Sequence, residues 1–212
     1  LRDAAVRGVR VRLLVDDLFT AQTDPILRAL AEHPNAQVRL FNPFCCARDS
    51  TEGRLVVSLF DLYRLNHRMH NKLLIADGVI AIAGGRNIAD EYFMLNMSSN
   101  FVDMDTFVMG AVVPQLQHIF DKYWNSDIVL PVQALVPLAV DPGDLDAEFE
   151  RLSLLDHGPP ELSAVDALGY GPISEDLDAG RVGLIWAPAR AFADAPNKLA
   201  GMSAEEASEN TV

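Results

Sequence analysis

The residues with the clearest chemical potential in this 212-residue chain are His70 and Lys72, two positions apart in the run His70-Asn71-Lys72. On a β-strand, side chains at positions i and i+2 point to the same face, so this spacing predicts an imidazole beside a cation. Histidine can attack phosphorus or donate a proton near neutral pH, and lysine can neutralise the oxygens on which charge develops. The pair therefore indicates phosphoryl chemistry.

The residues after this pair form a second recognisable pattern. Two apolar runs flank Asp77-Gly78, a dipeptide that tolerates the positive φ angles of a type I′ turn, so the pattern predicts a β-hairpin. Gly84-Gly85 ends the second run and lets the backbone approach a ligand closely. Asn87 follows and can donate an amide hydrogen bond to the same phosphate oxygens.

The elements that must position these residues alternate between strands and helices. Period-2 alternation and short apolar runs predict strands over residues 9–15, 38–41, 69–76, 79–83 and 104–113. Helical spacing predicts helices over residues 24–31, 55–65 and 114–124, a helix already under way at Leu1 and a short one ending at Phe93. This alternation predicts the α/β class for the first 131 residues.

Charge and composition separate the chain into two parts at about residue 131. Residues 1–130 hold 13 basic and 15 acidic side chains, whereas residues 131–212 hold 4 and 15, together with 8 of the 12 prolines. We therefore predict a catalytic lobe over residues 1–131 and an acidic, Pro-rich linker with the start of a next lobe over residues 132–212. In the second part, a helix is predicted over residues 145–155 and a strand over residues 182–186.

The spacing His-x-Lys-x4-Asp-x6-Gly-Gly-x-Asn, from His70 to Asn87, resembles the HKD signature of the phospholipase D superfamily. The sequence on either side of this motif is most similar to the bacterial cardiolipin synthase branch. This resemblance lies in residues 8–17, 39–44, 64–72 and 84–93, extends from residue 1 to about 131, and has a later landmark in Trp186-Ala187-Pro188.

The resemblance implies a phospholipase D-type αβ lobe with a mixed central sheet flanked by helices, which shares one active site with a second lobe. It implies that His70 is the nucleophile, through a phosphatidyl-histidine intermediate, and that Lys72 and Asn87 bind the substrate phosphate. It also implies that Asp77 is a supporting member of the motif and that Asp103 orients His70. No metal or cofactor is implied, because lysine and asparagine supply the charge stabilisation.

The chain departs from the family pattern because it contains no second His-x-Lys pair. His33, His67, His118 and His157 are followed two positions later by Asn, Met, Phe and Pro. We therefore interpret the chain as an N-terminal half that lacks the second HKD lobe and the strand before Leu1. Double displacement at phosphorus needs a second proton donor, so this half is expected to be inactive alone.

The functional hypothesis is a cardiolipin synthase-like phosphatidyltransferase that acts on phospholipid as a peripheral protein, at the cytoplasmic side of the bacterial inner membrane. One alternative is a single-motif phosphodiesterase or nuclease that is active as a homodimer. Another is an inactive half-lobe that binds phosphate. The net charge of −13 makes nucleic acid an unfavourable partner, because an acidic chain repels a phosphate backbone.

Other reactive residue types receive simpler interpretations. Asp16-Asp17, at the end of a strand, is interpreted as a solvated strand end rather than a metal pair. Cys45-Cys46 is interpreted as chemically inert and fits a reducing compartment. His67 and Arg68 either line the phosphate site or face solvent.

Overall fold

The first sheet is built on two parallel strands joined by a helix. In the computed structural model, β1 (Val11–Asp16) pairs in parallel with β2 (Ala36–Phe41), and α2 (Asp24–Leu30) connects them. The structure describes residues 1–20, 23–44, 48, 53, 68–93, 96–138, 144, 147, 149–151, 171 and 173–196. Pro25 follows Asp24 in the first turn of α2, where a missing N–H costs nothing. The predicted strand–helix–strand order is therefore confirmed.

The core of this sheet forms on the face against which α1 (Arg2–Val6) and α2 pack. Val38 and Leu40, which alternate along β2, are almost fully buried, as the period-2 pattern predicts. A third strand, β6 (Val129–Pro131), pairs antiparallel with β2 and was not predicted. The next residue, Val132, is completely buried in the same core, so the core extends past residue 131.

The second sheet is an antiparallel meander of β3 (Lys72–Ala76), β4 (Ile80–Gly84) and β5 (Asp105–Met109). Asp77 and Gly78 have φ angles of +54° and +68°. The Val79 N–H donates to the Ala76 carbonyl over 3.1 Å, which closes the turn. The hairpin predicted from the Asp-Gly dipeptide is therefore confirmed, and positive φ at both central positions is typical of a type I′ turn.

The long helix α3 (Val113–Trp124) joins the second sheet to the first. Its Asp121 accepts a hydrogen bond from Arg12 of β1 over 2.8 Å, and its Tyr123 ring packs 5.6 Å from the Phe41 ring of β2. A later helix, α4 (Ile173–Asp178), was not predicted. No helix among the described residues has both the length and the apolar character needed to cross a bilayer.

The α/β class is confirmed, but the predicted single central sheet is two three-stranded sheets in the described part of the chain. A cavity of about 600 Å³ is lined by Val9 and Arg10, which precede β1, and by the β3 residues Leu73 and Leu74. In the described part of the chain, β1 and β3 are not paired with each other. The first sheet, which has parallel and antiparallel pairs, is the mixed one.

Several predicted boundaries differ from the structure. The strand predicted over residues 104–113 ends at Met109, because Gly110 turns with φ +85° and α3 begins at Val113. The short helix before Phe93 is a single 3-10 turn, Asp90–Tyr92. Residues 55–65, Cys45, Cys46 and His67 lie outside the described residues, as does most of 145–155, of which residues 147 and 149–151 are helical.

The strand predicted over residues 182–186 is wrong. These residues have no regular secondary structure, and Ile185 and Trp186 are largely exposed, at 93% and 79%. An apolar run becomes a strand only when a neighbouring strand takes its hydrogen bonds, and no described strand pairs with this segment. Its β-branched and aromatic composition was therefore insufficient evidence.

A buried ion cluster stabilises the loops at the carboxyl ends of β1 and β2. The Arg48 guanidinium donates to both carboxylate oxygens of Asp17 and to both of Asp24, over 2.6–2.9 Å. Burial alone would lower the pKa of Arg48, but its hydrogen bonds to Asp24 and Asp17 outweigh burial and raise the pKa above its ordinary value. Asp17 is completely buried, so this ion pairing is essential to its burial.

We expect Arg48→Met to lower the free energy of unfolding by about 3–5 kcal/mol, because it removes the guanidinium that pairs with the buried carboxylates of Asp17 and Asp24. Arg181→Met is the matched control, since Arg181 pairs with Asp176 on the surface, where such pairs contribute about 0–1 kcal/mol. Urea unfolding followed by circular dichroism measures both variants. Equal unfolding midpoints for the two variants would contradict the assigned role of Arg48.

Candidate active site

Three segments that contain predicted site residues converge at one end of the second sheet. Strand register aligns Lys72 with Gly84, and Gly84 with Asp105. Because adjacent strands are antiparallel, the residues before Lys72, after Gly84 and before Asp105 all extend beyond the same end of the sheet. The structure therefore brings His70, Asn87 and Asp103 to one end of the sheet.

The strand that was expected to carry His70 begins three residues later than predicted, at Lys72 rather than at Met69. The alternation of strand side chains therefore does not extend to His70, which is exposed, whereas Lys72 is half-buried. The Lys72 ammonium group instead reaches back and donates to the His70 carbonyl oxygen over 2.8 Å. This bond holds the cation beside the histidine by a contact that the i, i+2 spacing did not predict.

The charge on Lys72 is influenced by two carboxylates. Burial lowers the pKa of Lys72 below its ordinary value, and the negative charges of Asp103 and Asp16 partly oppose that effect. Asp103 was predicted as a site residue, but Asp16 was not. A partly buried ammonium is suited to bind a phosphate, because the cation is less hydrated than on the surface.

The glycine pair is required by the close approach of β5. A Cβ atom on Gly85 would lie 2.4 Å from Asp103 Oδ1, and one on Gly84 would lie 2.6 Å from the Met104 carbonyl oxygen. The sequence-based expectation was that these glycines allow the backbone to approach a ligand. In the structure Gly84 makes room for the backbone of Met104 and Asp105, and Gly85 makes room for the Asp103 carboxylate. Asp103 Oδ1 also accepts a hydrogen bond from the Met104 N–H over 2.7 Å.

Arg86, which the sequence analysis missed, ties the segment after β4 to the start of β5. Its Nε donates to Asp105 Oδ2 over 2.7 Å and its Nη2 to the Asp103 carbonyl over 3.0 Å, while Nη1 donates to the Tyr92 carbonyl. Asn87 follows directly and is half-buried. In the sequence, this role of Arg86 could have been inferred only from its position between the glycine pair and Asn87.

Asp16 is a second missed residue, and its interpretation as a solvated strand end is wrong. Its Oδ2 accepts the Met69 N–H over 2.8 Å, and its Oδ1 lies 3.3 Å from Arg68 Nη1. The side chains of Asp16 and Arg68 are both 14% exposed. Asp16 is therefore enclosed because residues distant in the sequence supply its partners. Arg68 lies against the strand ends rather than facing solvent.

Asp77 is the predicted site residue that the structure places elsewhere. It is at the tip of the hairpin, separated from Lys72 by the length of β3, and it lines the cavity near Gly8 and Val9. Five strand residues span about 16 Å. Asp77 is therefore not assembled with His70, and its contribution here is the turn itself.

The described residues bring together no group of three or more His, Cys, Asp or Glu side chains that could hold a metal ion. What they do assemble at the sheet end is an exposed imidazole, a half-buried ammonium, a half-buried amide and two carboxylates. An imidazole can attack phosphorus, a cation and an amide can stabilise the phosphate oxygens, and a carboxylate can orient an imidazole.

Comparison with known proteins agrees with this chemistry. The family model described as "Cardiolipin synthase, PLD-like domain" matches residues 1–124. Cardiolipin synthase C of Escherichia coli is 38% identical over 198 residues, which are 93% of this chain and 41% of that protein. The cardiolipin synthase of Oceanobacillus iheyensis is 30% identical over 120 residues, or 56% of this chain and 22% of that protein. No solved structure gives a significant match.

We expect Gly84→Ala to destabilise the protein by roughly 1–3 kcal/mol, because its Cβ would lie 2.6–2.7 Å from backbone atoms of Met104 and Asp105, which cannot rotate away. In Gly183→Ala, by contrast, the new Cβ meets nothing within 4 Å. Its stability should be unchanged or slightly higher. Urea unfolding midpoints test both variants, and a tolerated Gly84→Ala would show that β4 and β5 are not in close contact.

Proposed function

The chain belongs to the phospholipase D-like family of cardiolipin synthases, and from this premise we propose that it provides one catalytic lobe of a phosphatidyltransferase. Its proposed substrate is a phospholipid, and its proposed product is a phospholipid in which the phosphatidyl group has moved to another alcohol. The observation that supports this most directly is the Lys72 ammonium, half-buried and hydrogen-bonded to the backbone of the exposed His70.

In the proposed first step, a ring nitrogen of His70 attacks the phosphorus of the bound phospholipid. A P–N bond forms while the bond from phosphorus to the leaving alcohol breaks. The Lys72 ammonium and the Asn87 amide stabilise the non-bridging oxygens as negative charge builds on them. We assign Asp103 the role of orienting the His70 ring, because its carboxylate lies at the same sheet end.

In the second step, the hydroxyl of an acceptor alcohol attacks the phosphatidyl-histidine, the P–N bond breaks and His70 is released. Each step also needs a group that gives a proton to the leaving oxygen or removes one from the attacking hydroxyl. This sequence contains no second His-x-Lys pair. We therefore assign that role to a second HKD lobe of the same protein, and the chain spans 41% of the length of cardiolipin synthase C.

The proposed place of action is the surface of the bacterial inner membrane, at its cytoplasmic side, with the protein bound peripherally. A phospholipid donor is presented at such a surface, so the exposed His70 must face the headgroups. The net charge of −13 disfavours the alternative of a nuclease, because phosphate backbones bind to positive surfaces. Asp77 is proposed to serve the motif indirectly, by forming the turn of the hairpin.

We expect His70→Gln to abolish phosphatidyl transfer in the whole protein that contains this chain, because the nucleophile is lost. Lys72→Met should lower kcat by about 10²–10³-fold, as loss of a group that stabilises transition-state charge does. His118→Gln is the control, since His118 is exposed on α3 and its neighbour Gln117 lines the cavity at the hairpin tip with Asp77 and Gly78. Transfer between two phospholipids, followed by mass spectrometry of the products, measures all three.

Two results would contradict the proposal. A His70→Gln protein with near-normal turnover would exclude His70 as the nucleophile. Robust phosphodiesterase activity by a symmetric dimer of the 212-residue chain, acting on nucleic acid and lost in His70→Gln, would favour the homodimeric nuclease instead. Equal activity of the His118→Gln protein and the unmodified protein is expected in either case.

The charge state of Lys72 predicts how the rate of phosphatidyl transfer falls at alkaline pH, which is the alkaline limb of the pH–rate profile. Because burial lowers its pKa from the ordinary 10.5, the cation is lost, and activity falls, at a lower pH than a solvated lysine would predict. Lys72→Arg keeps its charge over this range, so its alkaline limb should move to higher pH even if its maximal rate is lower. An alkaline limb that is identical in the two proteins would exclude titration of Lys72 as its cause.

A further inference from the structure

We propose that Asp16 is a positioning residue for the reaction, which fixes the backbone from which His70 projects and adds negative charge beside Lys72. This role rests on the proposed function of His70 and Lys72. Asp16 lies at the carboxyl end of β1, in the first sheet, whereas Lys72 is the first residue of β3 in the second sheet and His70 lies two positions before it.

The carboxylate of Asp16 is itself held in one orientation. Its Oδ1 accepts the Leu18 N–H over 2.9 Å, which caps the 3-10 turn Asp17–Phe19, and its Oδ2 accepts the Met69 N–H over 2.8 Å. Each oxygen therefore has a separate backbone donor. A group bonded on both sides cannot rotate without losing a hydrogen bond, so it fixes the residue directly before His70.

Arg68 provides a second attachment of the same segment. Its guanidinium contacts Asp16 Oδ1 over 3.3 Å, donates to the Asn42 carbonyl over 3.1 Å and lies over the Phe44 ring, 5.0 Å from its centroid. Asn42 and Phe44 follow β2, so residues 68 and 69 are attached to the ends of both parallel strands. His70 therefore follows two fixed residues and is separated from the first residue of β3, Lys72, by Asn71 alone.

The negative charge of Asp16 is influenced both by burial and by its neighbours. Burial raises the pKa of Asp16 above the ordinary 3.8, and the negative charge of Asp17 adds to this increase. The hydrogen bonds from Leu18 and Met69 and the positive charge of Arg68 oppose the increase. The charged groups that face Asp16 are thus Arg68, Asp17 and Lys72. Because folding raises its pKa, Asp16 binds a proton more readily in the native state than in the unfolded chain. Its contribution to stability therefore falls as the pH rises through its pKa in the folded protein.

The test compares Asp16→Asn with Asp121→Asn in the whole protein that contains this chain. Asparagine keeps the shape but offers one acceptor oxygen for two N–H donors and carries no charge. Asp121 is the matched control, because it also pairs with an arginine, Arg12, but on α3. The measurements are kcat and KM against pH for phosphatidyl transfer, and hydrogen exchange of backbone amides by mass spectrometry.

For Asp16→Asn we expect kcat to fall at least ten-fold with little change in KM. The acidic limb of the kcat profile, where Asp16 becomes protonated in the unmodified protein, should flatten. Exchange should accelerate in residues 69–72 and stay unchanged along β1 and β2. Asp121→Asn should match the unmodified protein in its kcat profile and in exchange at residues 69–72.

Unchanged kcat, acidic limb and exchange in Asp16→Asn would overturn the proposal. It would also be overturned by faster exchange throughout the first sheet with an unaltered acidic limb, because that outcome assigns Asp16 a structural role alone. If the unmodified protein transfers no phosphatidyl group, the proposed function fails instead. Exchange at residues 69–72 then decides by itself whether Asp16 positions the segment.

Discussion

The hydrogen bond from the Met69 N–H to the Asp16 carboxylate is the contact on which the arrangement of the candidate site depends. The two sheets share no strand pairing in the described part of the chain, so strand hydrogen bonds do not set the start of β3 relative to β1 and β2. The contacts of residues 68 and 69 with Asp16, Asn42 and Phe44 do so. The site thus lies where the carboxyl ends of two parallel strands meet the first residues of an antiparallel meander.

The buried ion cluster beside this contact explains how a polar strand end can be enclosed. Asp17, the neighbour of Asp16, is buried because Arg48 and the Phe44 N–H satisfy both of its carboxylate oxygens. The same loop residue, Phe44, packs under the Arg68 guanidinium. One buried network therefore holds the loops that follow β1 and β2, and the segment before His70 is attached to those loops. Disturbing the network should consequently affect stability and the site together.

Features encoded by neighbouring residues were predictable from the sequence, whereas features that need distant partners were not. The hairpin at Asp77-Gly78 and the helix α3 follow from turn chemistry and helical period, and both are confirmed. β6 has three residues, too few to show a period, and it exists because β2 offers an open edge. The burial of Asp16 requires Arg68, which is 52 positions away in the sequence. The local pattern of two aspartates after a strand therefore predicted, wrongly, that Asp16 is exposed to solvent. The strand predicted over residues 182–186 is wrong for the same reason, because a strand needs a pairing partner that the local sequence does not reveal.

The spacing of the motif can be understood as the geometry of the hairpin. From Lys72, β3 runs to Ala76, the turn reverses at Asp77-Gly78, and β4 returns to Gly84 opposite Lys72. The three residues after Gly84 then place Asn87 beyond the same end as His70. A change of one residue in either strand would shift this register and turn every following side chain to the opposite face. Asp77 can therefore be as constrained in position as His70 while lying a strand length away from it, because the turn determines which residues return to the histidine.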